Sequence, residues 1–270
     1  MVGGAVFGAS LGPRWPVRRE PGRRLARVGL QLYTVRDQLK ADMDRTLAAV
    51  AAIGYGDVEF AGYFGRTPRA VRDSLRLAGL RAPSAHVALP DDDAAWARTL
   101  ADANAAGHEW VVIPWVAEPL RRSTSDWHRL AGRLDTLGDQ ARRAGLRLAY
   151  HNQAYDVATL DGSTPLELLL NRTSASLVAF EMDVYWVTKG GGDPLSFIQR
   201  HARRFAMIHA KDATAPPERR MVDVGQGTID FVPILAALPA LRHVFAEHDD
   251  AADPMISAAA SYVALRALRF

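Results

Sequence analysis

From Val28 onward, short runs rich in Val, Ile, Leu and Tyr alternate with longer segments whose apolar residues recur at every third or fourth position. The first pattern is that of buried strands and the second that of amphipathic helices; their alternation predicts βα units feeding a parallel sheet. The strands expected are 28–33, 56–60, 81–86, 109–114, 146–151, 177–183, 205–210 and 243–248. The cycle returns about every thirty residues, and eight such units are what a closed (β/α)8 barrel requires. Segments such as 44–54 and 67–79 carry Asp or Thr at the start and Gly at the end, which are helix start and stop signals. The longest helix is expected over Ser125 to Ala144, with Leu130, Leu134, Leu137 and Ala141 on one apolar face, and Gly190 to Gly192 is expected to be a loop leading into a helix at Asp193.

Length and composition narrow this to one α/β domain, a single (β/α)8 TIM barrel over residues 27–270: of 270 residues, 49% are hydrophobic, enough for one large core. Residues 1–26 are set apart as a disordered tail or a signal-peptide remnant. Their apolar start, MVGGAVFGASLG, is too short to span a membrane. The expected location is therefore cytoplasmic, or outside the cell if residues 1–24 are a truncated signal peptide. Cysteine is absent, which excludes disulfides, thiolate metal sites and cysteine nucleophiles. The formal charge is +3, but six of the 33 basic and one of the 30 acidic residues fall within residues 1–27, leaving 27 against 29 in the barrel. That balance gives no electrostatic case for a nucleic-acid partner.

In a (β/α)8 barrel the C-terminal strand ends converge on one face, where catalysis is built. Here those ends deliver Tyr33, Glu59, His86, Trp115, His151 with Asn152, Asp183, His209, and Glu247 with His248. A single polar residue at a strand end has an ordinary structural role; a carboxylate, imidazole or aromatic at nearly every end points to a site. Asp183, His209 and Glu247 come from three consecutive strands, and a mixed carboxylate and imidazole set suits Mn, Mg, Zn, Co or Fe. The competing arrangement is ion pairing of the buried carboxylates by Lys211, with Asp212 sharing in the network. Glu181 lies two residues before Asp183, on the same face but one layer deeper, and is assigned a structural role.

Taken together, GLQLYTVRD (29–37), IGYGDVEFAGYFG (53–65), YHNQAYD (150–156), EMDVYWV (181–187), IHAKD (208–212), VGQGTIDF (224–231) and AEHDD (246–250) resemble the sugar phosphate isomerase/epimerase family with a xylose-isomerase-like barrel, in the branch containing a Tyr-His-Asn-His segment. The resemblance implies one divalent metal ion (Mn, Mg, Zn or Co) held by Asp183, His209, Glu247 and, from the fifth strand, His151. It implies isomerisation, epimerisation or dehydration of a sugar or cyclitol through an enediolate. Glu247 and Asp156 are then the catalytic carboxylates, with Glu59 and Glu181 competing for the second role. His86, Asn152, Gln153, Lys211, Trp115, Tyr33, Glu59 and Trp186 are expected to bind substrate, and Tyr185 to line the pocket with them. The chain departs from the branch at Gln153, where a histidine is usual, and at Asp156, where a glutamate is usual.

The activity expected first is that of a metal-dependent isomerase or epimerase on a small-molecule carbohydrate. The alternatives are a lyase acting on 3-keto-glycosides or inososes and a sugar-binding barrel without catalysis. An apurinic endonuclease of similar fold needs further histidines. Trp186, Arg219 and Met221 occupy those positions, so neither nucleic acid nor a membrane span is expected.

Overall fold

The computed structural model describes residues 22–270. Eight parallel strands close into a barrel: β1 (Gly29–Gln31), β2 (Asp57–Phe60), β3 (Arg81–His86), β4 (Trp110–Ile113), β5 (Arg147–His151), β6 (Val178–Asp183), β7 (Phe205–Ala210) and β8 (His243–Ala246). Each pairs with the next, and β8 returns to β1 through Gly29 opposite Phe245. All eight fall where the hydrophobic pattern places them. β1 is shorter than expected because the chain turns at Leu32 into a 3-10 turn, with the Gln31 side chain accepting the Tyr33 N–H at 3.1 Å. Strands such as β4 and β7 are buried along their whole length, the signature of a parallel sheet covered on both faces.

The helices begin and end for the reasons their sequences give. Thr67, Asp92, Ser123, Thr164, Asp193 and Asp253 each accept a backbone N–H from the first turn of the helix that follows, satisfying donors that have no partner within the helix. The longest helix runs Thr124–Arg143 and buries Leu130, Leu134, Leu137 and Ala141, as its periodicity predicts. Most of the core fills the space between helices and strands. A second, smaller cluster around Trp110, Val112, Ala149, Met207 and Phe245 plugs the barrel itself. Met207 and Phe245 each stand two residues before a polar group, His209 and Glu247, so strand alternation stacks the polar layer directly above the plug.

The boundary placed at residue 27 needs correcting. Leu25 is buried, its carbonyl accepts from Arg266, and Arg23 reaches the Leu235 carbonyl while stacking on Phe270. Residues 22–26 therefore pack on the closed end of the barrel, and the expectation for residues 1–21 lies outside the described residues. Among the described residues no helix is long and apolar enough to cross a membrane.

The long helix lies close to the start of β6 at Gly138, where an added methyl would stand 2.5 Å from the Leu177 carbonyl oxygen. At Gly132 on the same helix nothing lies within 4 Å. Alanine is the better helix former by about 1 kcal/mol. Gly132→Ala should therefore raise stability by up to about 1 kcal/mol, whereas Gly138→Ala should lower it by about 1–3 kcal/mol through overpacking; chemical denaturation of the two variants tests the contrast.

Candidate active site

The sixth strand sets the geometry. Alternation turns Glu181 and Asp183 to the barrel interior, Glu181 one layer below. Asp183 then caps the helix Val184–Lys189, its Oδ1 accepting the Trp186 N–H at 2.9 Å. Asn152 grips the same residue twice: its Oδ1 accepts the Asp183 N–H at 3.0 Å and its Nδ2 donates to the Asp183 carbonyl at 3.1 Å. The second carboxylate oxygen, Oδ2, is thereby aimed inward. It lies 3.2 Å from Lys211 Nζ and 3.3 Å from His151 Nε2 but is hydrogen-bonded to neither.

A continuous polar network crosses the barrel around this point. Gln31 Nε2 donates to Glu59 Oε2 at 2.7 Å, and the same oxygen accepts from His209 Nε2 at 2.6 Å. His209 donates from Nδ1 to Glu247 Oε2 at 2.7 Å. Lys211 Nζ reaches Glu247 Oε2 at 2.9 Å and Asp249 Oδ1 at 2.7 Å. His86 Nε2 stands 2.9 Å from Glu181 Oε2 and 3.2 Å from Glu59 Oε2. Its ring stacks on that of His209, with centroids 5.1 Å apart.

Burial alone would neutralise these groups, and their mutual pairing reverses that for most of them. Glu59 is held well below the usual carboxylate range by His86 and His209, which overcome its desolvation. Glu247 is likewise lowered against burial by Lys211 and His209, and Asp183 by Lys211 and His151. Burial works against the charged forms of His86 and His209, yet Glu59 and Glu181 lift His86 to about 9, and Glu181, Glu247 and Glu59 lift His209 well above the ordinary imidazole value. His151 goes the other way, with burial holding it low and neutral. Asp249 is raised to about 6, first by burial and then by Glu247. Five carboxylates, Glu59, Glu181, Asp183, Glu247 and Asp249, thus outnumber the three basic groups that contact them, His86, His209 and Lys211.

That excess of carboxylates, the hydrogen-bond-free nitrogens of His151 and the free Asp183 Oδ2 fit a divalent cation. Two overlapping sets offer ligand atoms within 4.8 Å of one another: His151, Asp183, His209 and Glu247, and, one layer down, His86, His151, Glu181 and His209. Above them opens a cavity of about 770 Å³ bordered by His86, His151, Gln153, Lys211, Glu247 and Asp249. Tyr33, Trp115 and Trp186 line it as well; Tyr33 at 42% and Trp115 at 54% exposure are rim aromatics and not core.

Several expected site residues are placed elsewhere. Asp156 does not reach the cavity: its Oδ1 accepts from the Tyr150 hydroxyl at 2.8 Å and its Oδ2 from the Gln153 N–H at 2.6 Å, so the carboxylate closes a capping box in the turn Ala154–Val157. Asn152 and Glu59 are buried beneath the cavity, where they hydrogen-bond Asp183 and His209. Tyr185 is buried with its hydroxyl on the Arg219 carbonyl. Asp212 does not pair with Lys211; its two oxygens accept the N–H groups of Ala213, Gly225, Gly227 and Ile229, folding the VGQGTIDF loop around it. Asp249 was not singled out from the sequence; it lies three residues past the end of β8.

The sequence profile of the xylose isomerase-like TIM barrel family matches residues 47–251, a span that contains Asp183, His209 and Glu247. The chain belongs to this family. An inosose dehydratase from Geobacillus kaustophilus is 24% identical over 236 residues, which cover 72% of this chain and 75% of that one. Among solved structures, a sugar phosphate isomerase/epimerase from Parabacteroides distasonis superposes with a TM-score of 0.77 at 22% identity, covering 93% of this chain and 96% of that one. The IOLI protein, solved with a zinc atom bound, superposes with a TM-score of 0.70 at 14% identity, covering 88% and 96%.

The placement of Asp156 has a measurable consequence. Burial lifts it to about 7, above its unfolded value near 3.8, so the folded state holds the proton more tightly and loses stability as pH rises from about 4 to about 7. Asp156→Asn removes the charge and keeps both contacts with one reversed, the amide oxygen accepting from the Gln153 N–H and the amide nitrogen donating to the Tyr150 hydroxyl oxygen. It should match the native protein below pH ~4 and exceed it by on the order of 2–4 kcal/mol at pH ~8, as measured by urea unfolding across that range.

Proposed function

We propose that this protein is a divalent-metal-dependent lyase that removes a proton beside the carbonyl of a keto-cyclitol or keto-sugar and expels a β-hydroxyl as water. The observation that carries this reading is the convergence of His151, Asp183, His209 and Glu247 within 4.8 Å at the floor of an aromatic-rimmed cavity. Those four side chains would hold the ion, His209 giving up a proton to serve as a ligand. When bound, the ion supplies positive charge for the oxyanion that develops as the proton leaves.

The remaining roles follow from placement. Glu247 and Asp249 both follow β8, so the base acts from one side of the cavity, and Asp249, which borders the cavity but belongs to neither ligand set, takes the proton. His86 borders the cavity as a cation backed by Glu59 and Glu181 and serves as the acid for the departing hydroxyl. Tyr33, Trp115 and Trp186 offer ring faces to the C–H surfaces of the ring, and Gln153, held by its Nε2 on the Pro114 carbonyl, contributes its amide to hydroxyl recognition.

Epimerisation, the activity expected first from the sequence, calls for a second base on the opposite face. The candidate for it, Asp156, is locked in its turn, and Glu59 and Glu181 lie below the wall. That arrangement favours elimination, in keeping with the dehydratase activity named for the Geobacillus relative.

The test is to incubate protein loaded with Mn²⁺ with a panel of inososes and 3-keto-glycosides in deuterated water and follow products by mass spectrometry. Metal-dependent loss of water is expected, reduced by about 10²-fold or more in His86→Gln and Asp249→Asn. Deuterium incorporation without loss of water would replace the lyase with an isomerase or epimerase. Neither change, with Mn²⁺ bound, would leave a sugar-binding barrel.

A further inference from the structure

Lys211 is one of three lysines in the chain, and it is buried at the centre of the site. Its ammonium stands 2.7 Å from Asp249 Oδ1, 2.9 Å from Glu247 Oε2 and 3.2 Å from Asp183 Oδ2. The last two oxygens belong to residues assigned above as metal ligands. Asp249 is in neither ligand set. A divalent ion and an ammonium in contact with the same two oxygens repel each other, and in a buried setting that repulsion disfavours joint contact. Asp249 is the shortest of the three contacts and the one available to the lysine once the other two are taken. Asp183 Oδ2 is the weakest of them, an ion-pair contact without hydrogen-bond geometry.

We propose that Lys211 is a tethered internal cation that competes with the divalent ion for Asp183 and Glu247, and that Asp249 is the anchor to which it withdraws when the ion binds. This rests on the reading of the site as a metal centre. Two properties follow. The carboxylates stay paired without metal, so the barrel folds and persists in the metal-free state. The affinity for metal is lowered by the fraction of molecules in which the lysine has not withdrawn, as for any ligand that must select a partly populated state. Because Lys211 and Asp249 both border the cavity, the withdrawn ammonium also remains within reach of a substrate oxygen.

The experiment is calorimetric titration of Mn²⁺ into the chelator-stripped full chain at one fixed pH. It compares the native protein with Lys211→Met, Lys211→Gln, Asp249→Asn and the Lys211→Met/Asp249→Asn double variant. Both lysine variants should bind Mn²⁺ at least about tenfold tighter than the native chain, and Asp249→Asn should bind it several-fold more weakly. The Asp249→Asn effect should vanish in the Lys211→Met background, since a pairwise coupling disappears when either partner is gone. Metal-free Lys211→Met should melt below the native protein and recover when loaded. Should the methionine variant fail to fold, Lys211→Gln, which keeps a donor in place of the ammonium, carries the comparison. Lysine variants that bind no tighter, or an Asp249→Asn loss of equal size in both backgrounds, would overturn the competition and leave Asp249 acting by charge alone. If neither native nor variant proteins bind Mn²⁺, the metal reading itself falls and takes the competition with it. Binding by the lysine variants alone would uphold the competition while overturning metal dependence of the native enzyme.

Discussion

His209 stands between two carboxylates, Glu59 beneath it and Glu247 above, and the rest of the site hangs on that bridge. Burying one unpaired carboxylate costs several kcal/mol, and this barrel buries four carboxylates, Glu59, Glu181, Asp183 and Glu247, with Asp249 half-buried beside them. Each is tolerated because an imidazole or an ammonium stands against it: His86 between Glu59 and Glu181, His209 between Glu59 and Glu247, Lys211 among Asp183, Glu247 and Asp249. Strand alternation sets Glu181 and Asp183 two residues apart on β6, Met207 and His209 on β7, and Phe245 two residues before Glu247 at the end of β8, so the hydrophobic plug and much of the charged layer above it are products of one periodicity.

The same network gives the site both rigidity and unengaged polar atoms. Asp183 is fixed by its capping bond to Trp186 and by the two hydrogen bonds from Asn152, none of which uses Oδ2. His151 is fixed by β5 and neutralised by burial, with both ring nitrogens unengaged. Preorganised groups of this kind stabilise charge without having to rearrange, which is what the enolisation proposed for this site needs. The cavity above supplies the shape, and the segments that follow β1, β4 and β6 supply its aromatic rim through Tyr33, Trp115 and Trp186.

How far the sequence revealed this depends on what kind of signal each residue carries. The strands were legible because a parallel barrel strand is buried on both faces and reads as an unbroken apolar run, and the helix ends because Asp, Thr and Gly cap them for local reasons. His151, Asp183, His209 and Glu247 were legible because a polar or charged residue seldom ends such a run unless it is paired or ligated. Asp156 misled for a definite reason: a carboxylate three residues after Gln153 serves equally as a cap, and only the turn geometry shows both its oxygens spent. Asn152 and Glu59 were recognised as polar strand-end residues, but whether such a residue faces a ligand or props up its neighbour depends on the stagger between strands, which no single strand encodes. Asp249 lay beyond the strand end, where alternation no longer dictates direction.

On the proposed reading, one divalent ion at the ends of β5 to β8 matches the barrel's excess of carboxylates over basic groups. Anomalous diffraction from crystals soaked in Mn²⁺ tests this most directly. A single strong peak is expected, bounded by His151, Asp183, His209 and Glu247, with the Lys211 ammonium moved onto Asp249. Crystals that show no peak under saturating Mn²⁺, with Lys211 still seated between Asp183 and Glu247, would contradict it.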